Sequence, residues 1–310
     1  MLRIEDVSKS YGEKVAIKNI SFEVPKGSTF GLLGPNGAGK TSLIRIINQI
    51  QPADKGEVFF NNEPITSHLV NQIGYLPEER GLYKKMKVGE QVLYLARLKG
   101  MSKADAVVQI KWWFERLGIT DWWTKKVETL SKGMQQKVQF IATVLHKPSL
   151  IILDEPFSGF DPVNAEIVKN ELLRMKEEGA TIMLSTHRME SVEELCDHIA
   201  MIHNSEKVLD GKIADVKRQF KRNEFEVKYR GEKLESTPEE ATEIITENYD
   251  EEHQAHVLQM RLPGDEHSNK VLQFVMEQRQ VIGFGEILPS VEEIFVDIAK
   301  DNVNLTSVSK

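Results

Sequence analysis

Residues 34 to 41 read Gly-Pro-Asn-Gly-Ala-Gly-Lys-Thr, the spacing GxxxxGK[ST], and those residue types in that spacing make a place for phosphate. Glycine lets the backbone curl until several N–H groups point at one anion, and a helix starting at the end of the loop adds the positive end of its dipole. Lys40 is placed to reach the β- and γ-phosphates of a nucleoside triphosphate, and the Thr41 hydroxyl to join the Mg²⁺ such a ligand carries. A second group lies far along the chain, where the bare apolar run Leu150 to Leu153 is followed directly by Asp154 and Glu155. An apolar strand ending in two acids delivers them to the carboxyl edge of a parallel sheet, where open α/β folds hold their ligands. Asp154 then suits the metal, and Glu155 is free to orient or deprotonate an attacking water. Each group has an ordinary reading if taken alone, since glycine-rich turns precede many helices and an acidic pair after a strand commonly opens one. The flanking elements decide between the readings.

Those elements follow from periodicity. Before the loop, LRIEDV, ISFEV and TFGLL are short β-rich runs broken by Gly and Pro, and Gly56 to Ile65 adds another. Directly after it, Leu43, Ile46, Ile47 and Ile50 fall at i, i+3, i+4 and i+7, one face of an amphipathic helix. The phosphate-type loop therefore joins a strand to a helix. From Val88 to about Leu130 the pattern is helical, with stripes Val88, Val92, Leu95 and Val107, Ile110, Phe114, Leu117. A helix carrying Val138, Ile141, Ala142 and Leu145 precedes the Leu150 strand, a helix with Val168, Leu172 and Met175 follows it, and a second bare strand spans Thr181 to Leu184. Apolar runs without alternation, separated by helices, are parallel strands covered on both faces. The expectation is an α/β core over residues 1–212 with a helical insertion at about 84–145.

Past Gly211 the texture changes to charged, alternating segments, FEVKY and HVLQMRL, joined by an acidic stretch from Glu235 to Glu252 of little apolar content. Two helices then follow, one on Val271, Phe274 and Val275, the other opening at Ser290 with Glu293 in capping-box spacing ahead of Ile294, Phe295 and Ile298. Residues 213–310 are expected to form a small α+β domain.

Composition narrows the partners. The chain has 310 residues, 40% hydrophobic and 28% charged, an ordinary globular balance. The net charge of −7 is uneven, because residues 215 to 310 hold 20 acids against 12 bases. Neither part has the positive excess that neutralises nucleic-acid phosphates, so DNA and RNA are not expected partners. No apolar run approaches a membrane span, and MLRIEDVSKS lacks the apolar core of a signal peptide. A single cysteine, Cys196, permits no internal disulfide and fits a reducing compartment. A cytosolic chain is expected.

With these residues in place, further segments appear in the order of one family. Leu130-Ser-Lys-Gly-Met-Gln135 resembles the signature LSGGQ, Ser158-Gly-Phe-Asp161 the D-loop SGLD, Ser185-Thr-His187 the switch histidine after its strand, and Asn71 to Glu78 the Q-loop. Over residues 1 to about 212 the chain resembles the nucleotide-binding subunit of an ABC transporter. The resemblance implies a P-loop ABC ATPase core: a mixed sheet with helices, an N-terminal antiparallel β-region and a helical signature subdomain. It implies ATP and Mg²⁺, with Tyr11 stacked on adenine. Gly34, Pro35, Asn36, Gly37, Ala38, Gly39, Lys40, Thr41 and Ser42 would cradle the phosphates, and Thr41, Glu78 and Asp154 would hold the metal. Glu155, His187 and Lys40 would serve catalysis, while Ser131, Gly133 and Asp161 would act on the nucleotide of the opposite subunit. It also implies a head-to-tail dimer with a second ATPase subunit, an integral membrane permease as partner, and a place on the inner face of the membrane through that permease.

Three departures stand out. Glu78 occupies the usual Q-loop Gln position, keeping an oxygen but adding charge. The signature reads LSKGM, so Lys132 adds a positive charge and Met134 removes an amide. Phe160 replaces a Leu in the D-loop. Trp112, Trp113, Trp122 and Trp123 lie in the helical region that in this family faces the membrane partner; two adjacent pairs cannot all enter one core, so they read equally as a docking surface or as local packing. The C-terminal part resembles the domain appended to bacterial ABC subunits of the sodium-export and antibiotic-resistance type, including PSVEEIF, which implies regulation or dimer contact. His253, His256 and His267 have spacings that fit no tight metal site. The main expectation is thus an ATPase subunit of an exporter. The alternatives are a soluble ABC ATPase acting on ribosomes or DNA, which usually carries a second cassette or long coiled-coil insertions, and a nucleotide sensor, which has no need of Glu155.

Overall fold

The computed structural model describes residues 1–79 and 81–307, with the backbone alone for 301–307. The chain divides into two compact units, Met1–Ile213 and Ala214–Lys310. The first runs β1 (Leu2–Tyr11), β2 (Lys14–Val24), β3 (Thr29–Leu33), α1 (Lys40–Ile47), β4 (Lys55–Phe60), β5 (Glu63–Pro64) and β6 (Ile73–Leu76), then α2 (Val88–Leu98), α3 (Lys103–Arg116) and α4 (Lys132–Val144). It continues with β7 (Leu150–Asp154), α5 (Pro162–Glu177), β8 (Thr181–Ser185), α6 (Met189–Leu195), β9 (His198–His203) and β10 (Glu206–Lys212).

Two sheets result. An antiparallel sheet has the order β2-β1-β4-β5, and a mixed sheet has the order β10-β9-β3-β8-β7-β6, parallel except for β10. The bare apolar run of β7 is explained by its two faces. Leu150 and Ile152 join a core with α1 and the antiparallel sheet, while Ile151 and Leu153 join another with α2, α3, α4 and α5. A strand buried on both sides has no solvent face to mark with polar residues. Because β3, β8 and β7 are parallel, their carboxyl ends lie along one edge, which is where Gly34, Asp154 and Ser185 emerge.

The second unit begins within α7 (Ile213–Gln219) and contains β11 (Glu224–Arg230), β12 (Glu243–Asp250), β13 (Ala255–Arg261), α8 (Ser268–Gln278), β14 (Gln280–Ile287) and α9 (Val291–Ser307). Its sheet is antiparallel, in the order β12-β13-β11-β14. Phe225, Val227, Tyr229, Leu258 and Met260 on one face of the sheet pack against Val271 and Val275 of α8. The start of α9 has the expected reciprocal cap: Ser290 N donates to Glu293 Oε2 at 2.8 Å, and Glu293 N donates to Ser290 Oγ at 3.1 Å. The acidic stretch that joins the two alternating segments is itself partly sheet. Half of the acidic stretch from Glu235 to Glu252 is strand β12, an edge strand with a single neighbour and no fully buried residue. Two of its charges are met from other segments, Glu243 by Arg261 of β13 and Glu247 by Lys233 after β11, so the apolar alternation that marks a strand is not needed there.

Candidate functional site

The loop after β3 is shaped by what surrounds it. Gly34 has φ +144°, and a Cβ at this position would lie 2.1 Å from the carbonyl oxygen of Ile202 in β9, so the backbone passes where no side chain fits. Gly37 has φ +81° with open space around it. Gly39 caps α1, whose first N–H groups lack partners within the helix and face the loop. Lys40 is buried, and its ammonium donates to the carbonyls of Gly34 at 2.7 Å and Pro35 at 3.1 Å. Burial lowers its pKa, opposed by the nearby charges of Glu155, Asp154 and Glu78.

Both acids stand at the end of β7, Asp154 as its last residue and Glu155 directly after it. Asp154 Oδ2 accepts from Thr41 Oγ1 at 3.2 Å, and Oδ1 accepts from Ser185 Oγ. Glu155 has φ +51°, a left-handed conformation rare outside glycine, and its N–H donates to Ser185 O at 2.9 Å. Its carboxylate is buried among donors. Oε1 accepts from His187 N at 3.1 Å and lies 2.8 Å from His187 Nδ1, and Oε2 accepts from Thr186 Oγ1 at 3.3 Å. A ring nitrogen facing a carboxylate is the protonated one, which leaves His187 Nε2 to accept or to bind a proton.

These groups meet in one cavity of about 330 Å³, lined by Tyr11, Lys14, Ala16, Asn36, Gly37, Gly39, Lys40, Thr41, Ser42, Glu78, Asp154 and Glu155. Ten of the expected residues therefore share one space. Tyr11 stands at its rim, half exposed, its hydroxyl 3.5 Å from Ser42 Oγ. Gly34 and Pro35 contribute carbonyls to Lys40, and Ala38 belongs to the core under α1. His187 reaches the cavity through Glu155. Ser131, Gly133 and Asp161 do not line it. Ser131 caps α4 by accepting from Met134 N at 3.3 Å, and Asp161 caps α5 by accepting from Asn164 N at 2.9 Å. Hydrogen bonds from the Asn164 backbone and side chain hold the Asp161 carboxyl below its usual pKa. The two motifs lie together, since a Cβ on Gly133 would be 3.1 Å from Gly159 O. They form a second surface, with the signature hydroxyl still able to donate.

The site fits a nucleotide carrying a hard cation. Thr41, Asp154 and Glu78 offer oxygens in one wall, the donor type that Mg²⁺ takes, and a lysine with a glycine-lined loop faces them. Among the described residues no cluster of three His, Cys, Asp or Glu could hold a metal without such a ligand. Sequence reasoning missed Lys14 and Ala16. The signal was the two-residue turn Gly12-Glu13, which pairs Tyr11 with Lys14 across the β1–β2 hairpin. It also missed Thr186, hidden inside the motif read for its histidine.

Elsewhere the expected features have local uses. Trp113 is buried, Trp123 lies over Gly89, and Trp122 packs against the helical core. Trp112 alone is well exposed, with the guanidinium groups of Arg116 and Arg174 at 5.2 and 5.3 Å from its ring. Cys196 is partly buried, and the desolvation of its thiol raises its pKa. In the second unit His253 bonds Asp250, His256 stacks on Tyr229, and His267 lies 3.6 Å from Glu266.

Comparison with known proteins agrees with this geometry. The ABC transporter family profile matches residues 17–158, and the profile of the C-terminal domain of DrrA1-3-like ATP-binding proteins matches residues 211–299. The Bacillus subtilis (strain 168) protein named uncharacterized ABC transporter ATP-binding protein YhaQ is 50% identical over 220 residues, 71% of this chain and 74% of its own length. The linearmycin resistance ATP-binding protein LnrL of the same organism is 35% identical over 219 residues, 70% of each chain. A solved ATP-binding subunit of an ABC transporter superposes with TM-score 0.67 at 29% identity, covering 71% of this chain and 93% of that one. The chain belongs to the ABC transporter ATP-binding family, with its P-loop ATPase core and a DrrA1-3-like C-terminal domain.

Proposed function

We propose that this chain hydrolyses ATP as the nucleotide-binding subunit of an exporter and drives a separate membrane permease. The observation that carries the proposal is the meeting of Lys40 and Thr41, from the start of α1, with Asp154 and Glu155, from the end of β7, around one cavity of triphosphate size. Lys40 and the loop N–H groups bind and orient the phosphates, and Tyr11 offers its ring to the base. Thr41, Asp154 and Glu78 would hold Mg²⁺, which when bound neutralises charge on the phosphate oxygens. Glu155 takes the proton of the attacking water. His187 keeps the Glu155 carboxylate in place and presents its other nitrogen to the γ-phosphate.

Ser131, Gly133 and Asp161 lie on a different surface from the cavity, which supports a site completed by a second ATPase subunit in head-to-tail arrangement. A groove of about 390 Å³ behind the Q-loop segment, walled by Tyr75, Leu82, Leu95 and Leu98, is the surface offered to the permease. Among the described residues no helix is long and apolar enough to cross a membrane, so membrane attachment rests on that partner. Export is supported by the resistance protein among the relatives.

Glu155→Gln tests the chemistry. Hydrolysis falls by at least ~100-fold, the contribution of a general base, while ATP binding persists and dimers accumulate. Retained turnover removes Glu155 from its role. Affinity capture from gently solubilised membranes tests the partner, with a polytopic protein in equal amount as the expected result, and ribosomal or DNA-bound proteins without a permease as the result against it.

A further inference from the structure

Helix α4 carries a stripe of buried polar side chains inside an otherwise apolar interface. Gln136, Gln139 and Thr143 recur at i, i+3 and i+7, all nearly inaccessible. The two glutamines donate to the backbone of segments that bear the site. Gln136 Nε2 donates to Pro156 O at 3.2 Å, one residue beyond Glu155. Gln139 Nε2 donates to Pro77 O at 3.2 Å and to Glu79 O at 3.4 Å, the carbonyls on either side of Glu78. Thr143 Oγ1 donates within its own helix to Gln139 O at 2.9 Å, with Tyr75 O a longer 3.4 Å away.

A buried amide is costly unless hydrogen-bonded, and an apolar side chain of the same shape would pack there without that cost. What the amide adds is position. Gln139 Oε1 has no partner among the described residues, so this side chain is held by its donor side, at Pro77 and Glu79. Glu78 is exposed, yet its backbone is pinned at both flanks and its side chain lines the phosphate cavity. Gln139 also lines the groove behind that segment. One residue therefore touches the groove on one side and the backbone of a cavity acid on the other.

We infer that Gln139 is a positioning residue for Glu78, tying the Q-loop segment to the signature helix so that Glu78 keeps its place beside Thr41 and Asp154. The inference rests on the reading of Glu78 as a member of the nucleotide site.

The test is a double-mutant cycle on the purified full chain, reading kcat, KM for ATP and the Mg²⁺ concentration for half-maximal hydrolysis. Gln139→Met keeps length and volume and removes both donors. It raises the Mg²⁺ requirement about fivefold, the factor that loss of a net hydrogen bond carries, and leaves Mg²⁺-free nucleotide binding unaltered. Glu78→Ala raises the Mg²⁺ requirement as well, and adding Gln139→Met to it changes nothing further, because the two act as one unit. Gln139→Asn, which keeps the amide but shortens its reach, gives the same direction where the Met variant folds poorly. Additive effects, or a wild-type Mg²⁺ response in a folded Gln139→Met protein, overturn the inference. A Glu78→Ala protein with wild-type Mg²⁺ response overturns the reading of Glu78 and this one with it, whereas an altered Glu78→Ala beside a normal Gln139→Met overturns this one alone.

Discussion

Two glycines three residues apart in the phosphate loop serve different ends, and replacing each by alanine separates them. Both have positive φ, so alanine at either place carries backbone strain of about 1–2 kcal/mol. At Gly37 nothing lies within 4 Å of the added methyl, so the loss of stability stops there, but the methyl enters the cavity proposed to hold the phosphates. At Gly34 the methyl meets the Ile202 carbonyl oxygen at 2.1 Å. That carbonyl belongs to β9, which is paired with β3 through Leu33 and Met201, so relief requires opening the central ladder. Strain and displacement together come to about 4 kcal/mol or more, a large share of an ordinary folding free energy of about 5–15 kcal/mol. Thermal unfolding and binding of a fluorescent ATP analogue read the two effects. A unit of this size loses about 2–4 °C in Tm per kcal/mol, so Gly37→Ala is expected about 2–8 °C below wild type and Gly34→Ala about 8–16 °C below or more. Gly37→Ala should bind nucleotide at least about tenfold more weakly while staying folded. A Gly34→Ala protein as stable as Gly37→Ala would refute the reasoning.

Lys40→Ala removes the ammonium that spans the loop carbonyls and should abolish nucleotide binding in the same assay; normal binding would displace the phosphate-loop assignment. His146 predicts a pH dependence of stability. Burial first, then the charge of Lys99, push its imidazole from 6.5 down to about 4, so the folded chain refuses a proton that the unfolded chain accepts. Its contribution is intact above pH 6.5 and is lost as pH falls towards 4, about 2 kcal/mol of it by pH 5. His146→Leu should flatten the fall in Tm between pH 7 and pH 5, and an unaltered slope would remove His146 as its source.

The parts of the site legible in the sequence were those in which a local pattern and its context coincide. The loop 34–41 stood between a β-run and an amphipathic stripe, and β3 and α1 flank it in the structure. The acids 154 and 155 followed a run without alternation, and β7 is buried on both faces. Helices α8 and α9 were readable from their stripes and from the Ser290–Glu293 cap. Strand β6, four residues inside the Q-loop segment, was not readable, because a strand that short leaves too few positions for a period to show. Nor was β12, two of whose charges are neutralised by residues on other segments.

What the sequence determined by itself was chemistry carried by neighbours along the chain: a phosphate-type loop, an acidic strand end, helix caps, and the order of motifs that marks the family. What only the tertiary structure decided was which side of each residue matters. Glu155 and His187 are 32 residues apart, yet His187 binds the carboxylate through both its backbone and its ring. Gln139 looks like one more residue of an amphipathic helix until the Pro77 and Glu79 carbonyls are found against it. Periodicity reports which face of an element is buried, but a hydrogen bond between distant segments depends on how the sheet and helices are stacked, and no spacing in the chain encodes that distance.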